Sequence, residues 1–161
     1  MGTILMVGTR KGLWIGTSDD SREDWSFTGP HHDMEEVYSC LVDTRGDRPR
    51  LFAGASSTWL GPQVRWSDDL GRTWQETPGG GVRFPEGSDA AVERIWQLTP
   101  GAEDGVVWAG TEPGAVWRSV DGGEQAQGVR ERALHRAGLG GHGLEPGDAV
   151  DPADRNGDVE P

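Results

Sequence analysis

The triplet Ser-x-Asp recurs along this chain at nearly constant spacing, and no other feature restricts the possible folds so much. Ser18, Ser67 and Ser119 stand 49 and 52 residues apart, and each is followed two positions on by an acid: Asp20, Asp69 and Asp121. In the second and third copies a glycine comes two positions later, Gly71 and Gly123, while Thr73 and Trp74 complete the second copy alone. The first copy keeps only Trp25. The match extends upstream through LMVGTRKGLWIGTSDD, LFAGASSTWLGPQVRWSDD and VWAGTEPGAVWRSVDGG. Each reads as an apolar run, a glycine, a polar loop, a second apolar run and then the Ser-x-Asp turn. A period of about fifty residues belongs to propeller blades and related arrays, in which each unit buries its apolar face against its neighbours.

Within each period, Val, Leu, Trp and Phe alternate with small or polar residues over four to seven positions, the pattern of half-buried strands. The first 120 residues show no long helical periodicity. Trp66-Ser-Asp-Asp-Leu-Gly-Arg-Thr-Trp74 places polar residues between two tryptophans, which fits a turn between strands. Ser67 and Asp69 satisfy backbone groups that the bend leaves unpaired, Gly71 supplies a positive φ, and the tryptophans anchor the flanking strands. A calcium loop is the alternative, but the EF-hand arrangement requires a terminal Glu that this stretch lacks.

The run Ser67-Asp68-Asp69-Leu70-Gly71-Arg72-Thr73-Trp74 resembles the Asp-box, S-x-D-x-G-x-T-W, of the BNR-repeat β-propellers. GTRKGLW, GPHHDMEEVYS and GTEPGAVWRS are similar to the bacterial sialidase-like, glycosyl-hydrolase-like and WD40/YVTN/BNR-like branch of that group. The resemblance covers residues 3 to about 123. It implies an all-β propeller of four-stranded blades, with the Asp-box on the turn between third and fourth strands, away from the ligand face. A sialidase would further imply three arginines, a Tyr-Glu nucleophile pair and an Asp acid/base. Here the sole tyrosine is Tyr38, in an expected inner strand, and no F-R-I-P-like motif opens the chain.

The 161 residues, 34% of them hydrophobic and twelve aromatic, suffice for one modest all-β core. A formal charge of −12 argues against nucleic acid and anionic membranes as partners. Cys40 has no second cysteine to pair with and lies in the apolar run VYSCLVD, where an inert buried thiol is the ordinary outcome. The run ILMV near the N-terminus is too short for a secretory or membrane-spanning segment, so a cytoplasmic location is expected.

The repeat accounts for about two and a half blades: a partial blade over residues 3–28, a full one over 36–77 and a third from Arg94 to Asp121. Propellers close with four or more blades, so an open fragment of this size suggests self-association through blade edges or a piece of a larger assembly. All twelve aromatics fall in residues 1–117. The pattern breaks at Gln125-Ala126, where a Thr-Trp pair is due, dividing a propeller segment over 1–123 from a tail over 124–161. In that tail EQAQGVRERALHRAG reads as a short amphipathic helix, and the Gly/Pro/Asp-rich remainder as disordered. Such a break is what a truncation or a shifted reading frame leaves.

Loops carry function on sheet scaffolds, and those opposite the Ser-x-Asp turns hold the unusual residues. Arg10, Lys11, His32, Asp33, Trp59 and Arg94 are candidate ligand-binding groups, Trp59 as a platform for a sugar ring. Glu93 and Glu112 are candidate catalytic carboxylates of the kind that cleave glycosidic bonds, alongside Glu35 and Glu36. The same acids can instead pair with Arg10, Arg83 or Arg94. His31-His32-Asp33 suggests a metal, but consecutive residues in an extended chain diverge and no further ligand spacing supports one. The expectation is therefore no metal and no cofactor. A glycan or small molecule is the expected ligand, against a non-catalytic scaffold or a truncated product without activity of its own.

Overall fold

Eleven strands and no helix make up residues 2–77 and 81–128, the part of the chain that the computed structural model describes. The first sheet contains β1 (Thr3–Thr9), β2 (Gly12–Ser18) and β3 (Trp25–His31). The second contains β4 (Glu36–Asp43), β5 (Arg50–Ser57), β6 (Gly61–Ser67) and β7 (Gln75–Glu76). The third contains β8 (Arg94–Pro100), β9 (Val107–Glu112), β10 (Ala115–Ser119) and β11 (Gln127–Gly128). Every pairing is antiparallel between chain neighbours, so each sheet is a meander. The all-β expectation holds.

Two apolar layers follow from strand alternation, because successive side chains leave opposite faces of a sheet. Leu13, Ile15, Val37, Leu51, Ala53 and Ala55 form the layer between the first and second sheets, with Ile4, Met6, Cys40 and Trp74 packed on it. Phe52, Val64, Trp66, Ile95, Leu98, Val107, Ala109 and Trp117 form the layer between the second and third. The middle sheet is thus covered on both faces, which is why Leu51 to Ala55 are all buried. The two tryptophans of the best-preserved repeat face opposite layers, Trp66 the third sheet and Trp74 the first.

The turn chemistry matches the sequence reading in the second and third sheets. Ser67 Oγ donates to Asp69 Oδ1 at 2.8 Å and accepts from the N–H of Gly71 at 2.9 Å and of Asp69 at 3.3 Å. One hydroxyl thereby uses its donor and both lone pairs. Asp69 in turn accepts from the Thr73 N–H at 2.9 Å and the Thr73 hydroxyl at 2.7 Å. Ser119 repeats the scheme with Asp121 and Gly123, and Asp121 accepts from the Gln125 N–H at 2.9 Å. Leu70 and Gly71 both take positive φ, as do Gly122 and Gly123. In the first sheet Ser18 donates to the Asp24 carbonyl, and Asp19 receives the Ser21 N–H and hydroxyl.

Each turn also seats on the preceding sheet. A Cβ added at Gly71 would stand 2.5 Å from Ile15 Cδ1, and one at Gly123 2.4 Å from Phe52 Cε1. Arg50 bridges successive turns, pairing with Asp68 at 2.7 Å, donating to the Gly122 carbonyl at 2.9 Å and lying over the Trp66 ring. Arg45 does the same for the hairpins, donating to the carbonyls of Gly101, Glu103 and Val106 while paired with Asp43.

One boundary differs from expectation. The third sheet does not stop at Asp121: Gln127 and Gly128 form β11 on β10, so strand stands where the helical reading began. The remainder of that reading, 129–161, lies outside the described residues. In the first sheet, Ser18 precedes the third and last strand, whereas Ser67 and Ser119 precede a fourth. Among the described residues the first sheet is therefore one strand short, in line with the partial first repeat, and the strand it lacks corresponds to β4 and β8. Among the described residues no helix is long and apolar enough to cross a membrane.

Candidate functional site

β4 and β8 run beside each other, with β1 on the other side of β4. Both central strands carry a bulge at the same place. On β4 the register shifts between Val37 and Ser39, leaving Tyr38 as the extra residue; on β8 it shifts between Ile95 and Gln97, leaving Trp96. A bulge re-aims the side chain that it adds. Here both extra residues are aromatic, and they meet edge to face with ring centroids 5.2 Å apart. Trp96 keeps half of its surface exposed.

Charged residues from all three sheets close around this pair. From the turn after β1, Arg10 Nε reaches Glu36 Oε1 at 3.0 Å, and the other Glu36 oxygen accepts from the Tyr38 hydroxyl. Those two donors, Tyr38 foremost, hold the Glu36 carboxyl below its ordinary pKa. Arg94 lies over both rings, 5.6 Å from Tyr38 and 5.7 Å from Trp96, and its Nη1 is 2.7 Å from Glu112 Oε2. The Tyr38 hydroxyl first and Glu112 next raise the Arg94 pKa above its usual value. Glu93 Oε2 lies 3.9 Å from the same Arg94 nitrogen, and the Glu93 N–H donates to the Glu112 carbonyl at 2.7 Å. Arg10, Glu36, Tyr38, Arg94, Trp96, Glu112 and Glu93 thus form a connected patch at the ends of the sheets opposite the Ser-x-Asp turns.

The structure gathers Arg10, Glu36, Arg94, Glu93 and Glu112 from the sequence candidates and leaves the others elsewhere. His32 is turned inward at positive φ, where its Nδ1 is 3.1 Å from Arg65 Nη1 and its ring packs edge-on against Trp74 at 4.5 Å. Burial, reinforced by Arg65 and His31, lowers its pKa to about 4, so it is a neutral packing residue at pH 7. Arg65 is buried among Glu35 at 2.5 Å, Glu76 at 3.1 Å and the Gln63 amide oxygen at 2.7 Å. Glu35 therefore serves that ion pair. Asp33 and Lys11 are exposed, and Trp59 stands 94% exposed at the tip of the β5–β6 turn. No group of three or more His, Cys, Asp or Glu side chains among the described residues is placed to hold a metal ion. Cys40 is half-buried with its Sγ 3.8 Å from the Met6 carbonyl oxygen, and burial raises its pKa.

Sequence reasoning missed Trp96 and did not assign Tyr38 to a site. The available signal was the shared run charged-apolar-aromatic, Glu36-Val37-Tyr38 and Arg94-Ile95-Trp96, at the start of equivalent strands. No protein-family model matches the chain, and no curated protein is significantly similar to it.

Proposed function

We propose that the chain is part of an Asp-box β-propeller of the BNR, sialidase-like kind, and that it binds a glycan on the patch around Tyr38 and Trp96. The observation that carries this reading is the pair of equivalent bulges, which present two aromatic rings at the meeting point of three sheets. A half-exposed indole offers a flat apolar face to a sugar ring, and the surrounding guanidinium and carboxylate groups match hydroxyls as donors and acceptors. Arg10, Arg94, Glu36 and Glu112 already neutralise one another in part, which favours a hydroxyl-rich ligand over a strongly charged one. The radial arrangement of blades is supported by the Asp-box repeat, by the order of the sheets and by the way that each box turn seats on the sheet before it.

Glycoside hydrolysis is the second reading, favoured by Glu93 and Glu112 flanking a single Arg94 nitrogen. One would protonate the leaving oxygen while the other attacks or activates water. A scaffold role needs neither. Screening a panel of neutral and acidic oligosaccharides for both binding and cleavage separates these readings. Saturable binding that Trp96→Ala removes supports the glycan site. Release of sugar that is lost in Glu112→Gln supports hydrolysis. Neither effect across the panel overturns both in favour of a scaffold.

A further inference from the structure

We infer that Ser39 is the positioning residue of the aromatic pair: its buried hydroxyl, out of reach of any ligand, sets the angle at which Tyr38 and Trp96 are presented. The effect on affinity rests on the reading that ligand lies on these two rings, whereas the geometry stands without it. Ser39 follows Tyr38 directly on β4 and is buried. Its Oγ donates at 2.8 Å to the carbonyl oxygen of Ile95, the residue directly before Trp96 on β8. β4 and β8 belong to different sheets, so this bond crosses from the second sheet to the third at the level of both bulges.

Covalent geometry carries that bond to the rings. A peptide unit is planar, so the Ile95 carbonyl, the Trp96 nitrogen and the two Cα atoms beside them turn together. Holding the Ile95 oxygen therefore fixes the plane from which the Trp96 side chain departs. On β4 the same hydroxyl stands on the Cα that ends the Tyr38–Ser39 peptide, so the other bulged residue is tied to the same point. A bulge needs such a tie, because its extra residue has no partner in the ladder to orient it. Arg94 lies over both rings from the open side. Ser39 holds them from the buried side.

Gly54 makes room for this contact. It pairs with Ser39 between β5 and β4, and a Cβ there would stand 2.5 Å from Ser39 Oγ and 3.1 Å from Ile95 Cβ. Glycine leaves that space to the hydroxyl and to Ile95. The repeat itself does not dictate a serine at this place. Gln97 takes the equivalent position after Trp96 on β8, also opposite a glycine, Gly110, and it is exposed. Ser39 is thus particular to the junction at which the two aromatic bulges face each other.

The test reads the rings by NMR without ligand, as cross-relaxation between Tyr38 and Trp96 and as the shift of the Trp96 indole N–H. Each variant is then titrated with the panel of neutral and acidic oligosaccharides. Ser39→Ala is expected to weaken the cross-relaxation, move the indole signal and lower affinity by about tenfold, the worth of one hydrogen bond. Ser39→Thr, which keeps the hydroxyl, is expected to restore all three. Ser67→Ala removes three bonds at the opposite end of the sheets and is expected to leave the ring signals of the folded protein in place, which separates positioning from lost stability. Should Ser39→Ala fail to fold, Ser39→Cys keeps a side chain of similar shape that donates only weakly, and it is expected to move the ring signals in the same direction. Ring signals unchanged in the folded Ser39→Ala or Ser39→Cys protein overturn the proposal. So do ring signals that move equally in Ser67→Ala. Ring signals that move as expected, in a protein that binds none of the panel, uphold the positioning role and overturn the glycan reading alone.

Discussion

Replacing Ser67 by alanine removes one oxygen and three hydrogen bonds. The Gly71 N–H, 2.9 Å from that oxygen in a buried position, has no other acceptor in the turn. Leaving a buried donor unpaired costs about 1–3 kcal/mol. The Asp69 N–H, at 3.3 Å, is only partly buried and recovers water, whereas loss of the 2.8 Å bond to the Asp69 carboxylate adds about 0.5–1.5 kcal/mol. The expected loss is therefore about 2–4 kcal/mol. In urea, with a slope of about 2 kcal/mol per molar, the midpoint should fall by roughly 1–2 M at unchanged slope. Ser119→Ala should behave alike, because Ser119 makes the same three bonds. Ser18→Ala should cost less than about 1 kcal/mol, since its exposed hydroxyl makes one bond to a carbonyl. Equal losses at all three serines, or losses below about 0.5 kcal/mol at Ser67 and Ser119, would refute the reasoning.

Gly123→Ala forces a side chain into a φ of 93° with its Cβ 2.4 Å from the Phe52 ring; it should destabilise by about 3 kcal/mol or more, read from thermal unfolding. Acid should weaken the fold in two windows, followed by tryptophan fluorescence. His32, unprotonated in the native state down to about pH 4, contributes stability that is full above its unfolded pKa of 6.5 and is lost as pH falls toward 4. That loss amounts to about 2 kcal/mol once partial exposure is allowed for. Asp69, held at about 2 by the Thr73 N–H, the Thr73 hydroxyl and Ser67, contributes stability that disappears between pH 3.8 and 2; Asp69→Asn should flatten this lower window. Trp96→Ala should abolish glycan binding while leaving the urea midpoint within about 0.5 M of the parent, because half of the ring is already in water.

What could be read from the sequence was what closes locally. Ser67, Asp69 and Gly71 complete their turn within five residues, so spacing and residue type suffice, and the apolar run Leu51 to Ala55 and the spacing of Val64 and Trp66 place β5 and β6 for the same reason. The end of the third sheet was misplaced because Gln125-Ala126 lacks the Thr-Trp signature. The bond that closes that turn, however, comes from the Gln125 backbone N–H, which any residue but proline provides. Tyr38 and Trp96 become a pair only through bulges, and a bulge is a property of register between strands that neither strand reveals alone. His32 reads from the sequence as a ligand-binding loop histidine. Its inward turn depends on Arg65, 33 positions away. Of the candidates around the site, Arg10, Arg94, Glu93 and Glu112 lie at the ends of strands or in adjoining turns, where topology alone brings them to one end of the sheets. Trp59 lies at an equivalent turn but points into solvent.

The most direct measurement is a titration of the indole N–H resonances of the eight tryptophans with oligosaccharide. Ligand on the patch between the bulged strands shifts the Trp96 signal in a saturable way and leaves buried Trp66 and Trp117 in place. A saturable shift at the solvent-facing Trp59 or at Trp108 on β9, with Trp96 unmoved, would contradict the assignment.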